Sequence, residues 1–161
     1  MWTQECSQLF LTIKNIFIDI LIIRKQRTNE KEHFSAFRGV HNMIYAMSDI
    51  HGHYEAMKKR MEQMRPLLQK GNSRLILLGD YIDRGDKSYQ CLKLAYDLEQ
   101  EFGSDKVIVL KGNHEVWFEE FLFKNEDVWL DEDGDFFTTG SFLTKEQLKK
   151  MELKPDRETR I

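Results

Sequence analysis

The sequence contains few cysteines, and this limits the chemistry that it can carry. Among its 161 residues only Cys6 and Cys91 are cysteine, and no Cys-x-x-Cys pair occurs. Two isolated cysteines cannot form a disulfide framework or the four-ligand site of a structural zinc ion. The sequence therefore favours a reducing, cytoplasmic compartment, and we expect Cys91 to serve as a small apolar residue on a helix.

The chain also lacks a surplus of positive charge. It has 24 lysine and arginine residues against 27 aspartate and glutamate residues, which gives a formal net charge of −3. Proteins that bind nucleic acids normally carry a basic footprint on their surface. We therefore expect no nucleic-acid partner, and any contact with a phosphate group must come from a local site.

A hydrophobic run long enough to cross a membrane is missing as well. The most apolar segment covers residues 9–23, where 11 of 15 positions are Leu, Ile or Phe. It is shorter than the ~18–20 residues of a membrane-spanning helix, and Lys14 and Asp19 interrupt it. This pattern predicts an amphipathic helix without stable membrane insertion. The apolar stripe of that helix would consist of Leu9, Ile13, Ile16, Ile20 and Ile23.

The character of the chain changes at Met43. Residues 24–32 form a polar, charged run, and a short apolar run follows from residue 44. We interpret residues 1–42 as an N-terminal extension, and the alternative that they do not belong to the native domain stays open. Residues 43–161 would then form one domain, which is a usual size for a single folding unit.

Three short apolar runs alternate with two segments of helical periodicity in this domain. The runs cover residues 44–47, 74–78 and 106–110 and are typical of buried strands. Strands joined by connections of this length lie parallel, with right-handed crossovers. The pattern therefore predicts an α/β fold that begins β-α-β-α-β.

The helices between and after these strands have recognisable end signals. The first should end at Pro66, because proline lacks the N–H that a helix interior requires, and its methionines should pack into the core. The second should have Asp86 as its N-cap and should end at Gly103. Thr144 and Gln147 have the spacing of a capping box for a later helix. The methionines expected in the core are Met57, Met61 and Met64.

Each predicted strand is followed by glycine together with acidic, imidazole or amide side chains. The carboxyl ends of parallel strands meet at one edge of a sheet, where ligands bind in open α/β folds. Asp49, His51, Asp80 and Asn113 follow the three strands and carry the oxygen and nitrogen ligands that suit Mn, Fe or Zn. Any one of these clusters alone is more often a turn or a helix cap. Three in succession are difficult to attribute to turns, so we expect them to form one metal site.

These clusters resemble the signature of the calcineurin-like metallophosphoesterases, in particular the phosphoprotein phosphatase branch of bacterial type. The matching motifs are Asp-x-His at residues 49–51, Gly-Asp-x-x-Asp-Arg-Gly at residues 79–85 and Gly-Asn-His-Glu at residues 112–115. The resemblance implies that the domain is the N-terminal half of an αββα sandwich. Symmetrical dinucleoside tetraphosphate hydrolases are near relatives, but they usually lack an acid at the position of Asp83 and end the third motif in aspartate. Asp83 and Glu115 thus favour a serine/threonine phosphatase-like enzyme.

The resemblance also implies a metal set. Asp49 and His51 would hold the first divalent ion, Asp80 would bridge, and Asn113 would hold the second. The two ions would be Mn, Fe or Zn, and a metal-bound hydroxide would attack the phosphorus of a phosphomonoester in a phosphorylated protein or a small molecule. Hydrolysis of dinucleoside polyphosphates or phosphodiesters is the alternative activity.

Three further residues receive roles from the resemblance. His114 would be the general acid that protonates the leaving group, and Asp83 would position it through a carboxylate–imidazole hydrogen bond. Arg84 offers a planar fork for two phosphate oxygens, although a surface salt bridge is an alternative for this side chain.

One part of the family pattern is missing from this sequence. The family completes its metal site with further histidines, and no histidine follows His114. We therefore expect the domain at residues 43–161 to be C-terminally incomplete and the second ion to bind weakly. An inactive, truncated remnant that only binds metal is the remaining alternative.

Overall fold

The computed structural model describes residues 11–15, 43–71, 73–124, 126–132 and 136–152. The predicted charged linker at residues 24–32 lies outside the described residues, as do four of the five positions of the apolar stripe near the N-terminus. The division into an extension and a domain at Met43 stays a prediction.

A three-stranded parallel sheet, in the order β1-β2-β3, organises the described residues. The strands are β1 (Met43–Met47), β2 (Ser73–Leu77) and β3 (Val107–Val109). Their last residues are in register, because Met47 pairs with Leu77 and Leu77 pairs with Val109. The predicted α/β class and the parallel β-α-β-α-β order are confirmed.

Six helices follow β1 along the described part of the chain. The two crossover helices are α1 (Tyr54–Gln69) and α2 (Ser88–Phe102). Four helices follow the last strand, and the second and third of them are short. They are α3 (Asn113–Lys124), α4 (Val128–Glu132), α5 (Phe136–Ser141) and α6 (Lys145–Glu152).

The main core lies between the sheet and the two crossover helices. Helix α1 contributes its three predicted methionines together with Leu68, and α2 contributes Leu92, Ala95 and Leu98. Burial of such side chains stabilises the fold by roughly 1.5–3 kcal/mol each. Cys91 is fully buried in this core, as the sequence analysis predicted.

Two predicted helix boundaries are wrong. Helix α1 continues through Pro66 to Gln69, because proline removes only one backbone hydrogen bond and the added turn places Leu68 in the core with no exposed surface. The N-cap of α2 is Lys87, and no side chain caps it, so Asp86 lies one residue too early. Both errors come from local signals that tertiary packing overrides.

Strand β1 is less buried than its apolar sequence predicted. Met43 and Ile44 expose about half of their surface, and Tyr45 and Met47 are half-buried. The reason is position, since β1 pairs only with β2 in the described sheet and lies at its edge. The central strand β2 has the buried character that was predicted for all three strands.

Two predicted helix ends are confirmed in detail. Gly103 ends α2 with a φ of +83°, a conformation that glycine adopts without strain, and its N–H donates to the Glu99 carbonyl at 2.9 Å. At the start of α6, the backbone N–H of Thr144 donates to Oε1 of Gln147 at 2.8 Å. The backbone N–H of Gln147 donates in return to Oγ1 of Thr144 at 3.3 Å, which completes the capping box.

A short part of the N-terminal segment packs against this domain. Residues 11–15 are helical, and Ile13 belongs to the hydrophobic core with 4% of its surface exposed. The ammonium group of Lys14 lies 5.6 Å from the centre of the Phe123 ring. None of the helices in the described part of the chain is long and apolar enough to cross a membrane.

We predict that the thiol of Cys91 does not react in the native protein. Burial raises its pKa to about 12, so the reactive thiolate is scarce at pH 8, and the side chain has no exposed surface. A Cys6→Ser variant isolates this thiol for titration with a chromogenic disulfide reagent. Reaction should occur only on unfolding, and rapid reaction of the native variant would contradict the packing of α2.

Candidate metal centre and active site

Three loops meet where the parallel strands end. Because Met47, Leu77 and Val109 are in register, the residues after them emerge side by side at one edge of the sheet. The first two loops are tied together by their backbones. The N–H groups of Ile50 and His51 both donate to the Asp80 carbonyl at 2.9 Å. The three sequence motifs therefore converge, as the βαβ pattern requires.

Glycine allows the second and third loops to touch. A Cβ atom at Gly79, where φ is +113°, would lie 1.9 Å from the Gly112 nitrogen. A Cβ atom at Gly112 would lie 2.1 Å from Oδ1 of Asp80. Both distances are far below any real contact, so only glycine fits at these two positions.

Backbone strain is concentrated in the same loops. Five non-glycine residues of the described chain have a positive φ, between +45° and +70°. Such conformations cost roughly 1–3 kcal/mol each and persist only where the surroundings hold them, which makes them common at functional sites. These residues are Asp49, His51, Asp80, Asp83 and Arg84. All five were named as candidate site residues from the sequence.

The buried carboxylate of Glu115 holds the strained loop in place. Its Oε1 accepts the N–H groups of Tyr81 and Ile82 at 2.7 and 3.2 Å, and its Oε2 accepts those of Asp80 and Gly112 at 2.8 and 2.9 Å. Glu115 has no exposed surface. Burial raises the pKa of this carboxyl group, and the four amide donors act in the opposite direction.

Asp49, His51 and Asp80 form a group that could hold a metal ion. One ligand atom from each lies within 4.8 Å of the other two, and Oδ1 of Asp49 is 4.0 Å from Nε2 of His51. Asp49 is exposed, Asp80 is partly buried and His51 is buried, so the group faces solvent on one side. Two carboxylates and an imidazole are a donor set that suits Mn, Fe or Zn.

The hydrogen bonds of His51 determine which ring nitrogen carries the proton and which one could act as a ligand. Nδ1 lies 2.9 Å from the Ile82 carbonyl oxygen, which can only accept, so Nδ1 carries the proton. The guanidinium of Arg84, which can only donate, lies 3.2 Å from Nε2. Both contacts make Nε2 the unprotonated nitrogen, and a backbone carbonyl on the opposite nitrogen is the usual support of a metal-ligating histidine.

The remaining two site residues flank this group. Arg84 is exposed and reaches over it through the contact with His51. Asn113 is the first residue of α3 and is exposed. The next residue, His114, donates its backbone N–H to Oδ1 of Asp80 at 3.3 Å, so Asn113 begins its helix beside the group of Asp49, His51 and Asp80.

A buried carboxylate–imidazole pair lies next to these ligands. Nδ1 of His114 is 2.8 Å from Oδ2 of Asp83, and both side chains are almost completely buried. The carboxylate accepts, so Nδ1 carries the proton and Nε2 is the nitrogen left for other contacts. The His114 ring stands edge-on to the His51 ring, with 4.8 Å between their centres. The pair can therefore act on a group bound at the candidate metal site.

The sequence analysis missed three residues of this arrangement. Glu115 was used only to distinguish families, although its position three residues after Gly112 is suited to capping the N–H groups that begin a helix. Trp129 and Thr138 both donate to the Asp83 carboxylate, at 2.9 and 2.7 Å. No local pattern pointed to them, because they lie 46 and 55 residues after Asp83.

Comparison with known proteins agrees with this geometry. The family model of calcineurin-like phosphoesterases matches residues 43–154, which include all the site residues described above. The chain belongs to the calcineurin-like phosphoesterase family. The expected resemblance and its α/β fold are thereby confirmed.

Known relatives of this phosphoesterase domain include serine/threonine-protein phosphatases and symmetrical bis(5'-nucleosyl)-tetraphosphatases. Serine/threonine-protein phosphatase 2 of Escherichia coli is 35% identical over 97 residues, which cover 58% of this chain and 39% of that protein. The serine/threonine-protein phosphatase 2B catalytic subunit A2 of Saccharomyces cerevisiae is 38% identical over 85 residues, or 52% of this chain and 13% of that protein. The symmetrical bis(5'-nucleosyl)-tetraphosphatase of Thioalkalivibrio sulfidiphilus is 33% identical over 73 residues, which cover 45% of this chain and 24% of that protein. The match thus spans well under half of each of these relatives.

We predict that Glu115→Gln destabilises this phosphoesterase domain by roughly 2–5 kcal/mol, because an amide nitrogen cannot accept the two N–H groups that one carboxylate oxygen now accepts. Urea unfolding followed by circular dichroism measures the loss. Glu119→Gln, on the same helix, is the matched control. It breaks a partly exposed ion pair with Lys111 and should cost less than about 1 kcal/mol. Equal losses in the two variants would contradict the role of Glu115.

Proposed function

We propose that this chain carries the catalytic centre of a metal-dependent phosphoesterase that hydrolyses phosphomonoesters, as a serine/threonine protein phosphatase does. The observation that carries the proposal is the juxtaposition of two groups. The buried His114–Asp83 pair lies in ring contact with His51, which belongs to the candidate metal ligands. A proton donor beside a cation site is what cleavage of a phosphate ester needs.

The residues fit a divalent cation. The first ion would be held by Asp49, His51 and Asp80. Asp80 would be shared with the second ion, to which Asn113 would contribute. Divalent ions bound here would supply Lewis acidity and lower the pKa of a bound water molecule. The oxygen and imidazole donors support Mn, Fe or Zn. Manganese is the ion used in the experiments below.

The chain's own residues have complementary tasks around that centre. The guanidinium of Arg84, exposed above His51, would bind the non-bridging oxygens of the phosphate with its planar fork. As the bond between phosphorus and the leaving oxygen breaks, the imidazolium form of His114, protonated on both nitrogens, would give that oxygen the proton of Nε2 and become the neutral imidazole with its proton on Nδ1. The hydrogen bond from Nδ1 to Asp83 would hold the imidazole in the required tautomer.

A phosphorylated protein or a small phosphomonoester is the substrate class that the motifs favour. Asp83 and Glu115 are both engaged in buried hydrogen bonds, in keeping with the phosphatase form of the second and third motifs. Dinucleoside polyphosphate hydrolysis is the second candidate. It is supported by the similarity to the symmetrical bis(5'-nucleosyl)-tetraphosphatase. Location in a reducing cytoplasm remains our expectation from the two isolated cysteines.

We predict that Asp80→Asn weakens Mn²⁺ binding roughly tenfold or more, because the amide has one oxygen and no charge with which to bridge cations. Isothermal titration with MnCl₂ measures this affinity without any assay of activity. Asp86→Asn removes an exposed carboxylate from the same loop and is the matched control. Identical affinities of the Asp80→Asn variant and the wild type would refute the metal site.

We predict that His114→Ala slows hydrolysis of a phosphoserine peptide by roughly a hundredfold or more at unchanged metal content, because its basic alkoxide leaving group needs the proton of a general acid. Manganese-loaded protein is assayed on p-nitrophenyl phosphate, a phosphoserine peptide and diadenosine tetraphosphate. His53→Ala removes an exposed histidine before α1 and should leave the rate unchanged.

The substrates separate the candidate functions. Turnover of the two monoesters alone supports the phosphatase, and turnover of diadenosine tetraphosphate alone supports the second candidate. If no substrate is cleaved by the wild type, the chain only binds metal and the proposal fails. An unaltered rate in the His114→Ala variant would remove His114 from its catalytic role.

A further inference from the structure

The carboxylate of Asp83 receives more hydrogen bonds than its contact with the histidine requires. It has no exposed surface, and its Oδ2 accepts both Nδ1–H of His114 at 2.8 Å and the indole N–H of Trp129 at 2.9 Å. Its Oδ1 accepts the hydroxyl of Thr138 at 2.7 Å. A carboxylate with three donors on fixed elements can adopt only one orientation.

The hydroxyl proton of Thr138 forms the hydrogen bond to Asp83. A hydroxyl group has one proton, and the Thr138 proton is directed to Oδ1 of Asp83. In the 3.1 Å contact between the two hydroxyls, Ser88 must therefore be the donor. The Thr138 oxygen also accepts the backbone N–H of Asp83 at 3.0 Å. Thr138 thus holds both the side chain and the backbone of Asp83, whose φ is +70°.

Both donors rest on rigid supports. Trp129 is 2% exposed, and its ring packs against Phe118 and Phe121 of α3, with ring centres 4.6 and 4.9 Å apart. Thr138 belongs to α5, and Oγ of Ser141 at the end of that helix accepts the backbone N–H of Tyr89 in α2 at 2.9 Å. The packed helices α4 and α5 therefore fix the two side chains that donate to the Asp83 carboxylate.

We propose that Trp129 and Thr138 are positioning residues for proton transfer. They hold the Asp83 carboxylate in the orientation in which it accepts Nδ1–H of His114, and Nε2 of His114 is thereby directed to the leaving oxygen. The inference rests on the proposed function and adds residues to it that lie outside the three motifs.

The test compares two leaving groups. Phenolate is more basic than p-nitrophenolate, so phenyl phosphate depends more on protonation by His114 than p-nitrophenyl phosphate does. Thr138→Val keeps the shape of the side chain and removes the hydroxyl. We expect its kcat to fall roughly tenfold or more on phenyl phosphate and about twofold on p-nitrophenyl phosphate, at unchanged metal content. Thr138→Ser should restore the rate, and Trp129→Phe should show the same dependence on the leaving group.

Thr144→Val is the matched control for a loss of stability alone. It removes the hydroxyl that caps α6, which lowers stability, and it makes no change at Asp83, so it should leave both rates unchanged. Equal slowing of both substrates by Thr138→Val, or no slowing, would overturn the proposal. Failure of Thr138→Ser to restore the rate would do the same.

A spectroscopic measurement separates failure of this inference from failure of the proposed function. In the metal-free protein, proton NMR should show a strongly downfield Nδ1–H signal of His114, assigned by its loss in the His114→Ala variant. The signal should move upfield in Thr138→Val and in Trp129→Phe, and it should keep its position in Thr144→Val. If the wild type hydrolyses neither ester but these shifts occur, the positioning network stands without the activity. If the wild type gives no such signal, or if the signal keeps its position in both Thr138→Val and Trp129→Phe, the inference is overturned whatever the activity.

Discussion

The buried carboxylate of Glu115 is the constraint on which the rest of the site depends. Its two oxygens accept four backbone N–H groups, three from the loop after β2 and one from the turn that begins α3. The same β2 loop then accepts two N–H groups of the first loop through the Asp80 carbonyl. One side chain therefore sets the relative positions of all three motif loops. The left-handed backbone of Asp80 and His51 is held against its intrinsic cost by this network.

The network makes the site preorganised in the absence of ligands. His51 has its proton on Nδ1 because a backbone carbonyl requires it there, and His114 has its proton on Nδ1 because Asp83 requires it there. Both imidazoles consequently direct Nε2 away from these partners, and the proposed function uses this atom of His51 as a ligand and that of His114 in proton transfer. In the proposed function the Arg84 guanidinium would leave Nε2 of His51 when a cation binds, but neither imidazole would need to change its tautomer. Such preorganisation is how polar sites lower a reaction barrier.

The sequence alone predicted those features of the structure that depend on hydrophobic periodicity and on the positions of the strand ends. Parallel strands of known order bring their carboxyl ends together, so the proximity of Asp49, His51 and Asp80 could be predicted without coordinates. The capping pair of Thr144 and Gln147 was equally predictable because its spacing is local.

What could not be predicted depends on contacts that sequence spacing does not encode. The continuation of α1 through Pro66 follows from the burial of Leu68 one turn later, and the exposure of Ile44 follows from the edge position of β1. Thr138 lies 55 residues after Asp83, with α2, β3, α3 and α4 between them in the chain, and nothing in its immediate neighbours marks it as buried. The sequence analysis named His114 as a hydrogen-bond partner of Asp83, and it missed the other two donors, Trp129 and Thr138.

The long reach of Trp129 and Thr138 has a consequence for any attempt to transplant this centre. The three motifs end at residue 115, and a scaffold designed around them alone would enclose the Asp83 carboxylate with one of its three donors. A buried anion deprived of two donors is costly enough to rearrange or hydrate its surroundings. A transplant that keeps all three donors of the Asp83 carboxylate must therefore extend at least through α5. Its host must also reproduce Phe118 and Phe121 of α3, which pack against the Trp129 ring.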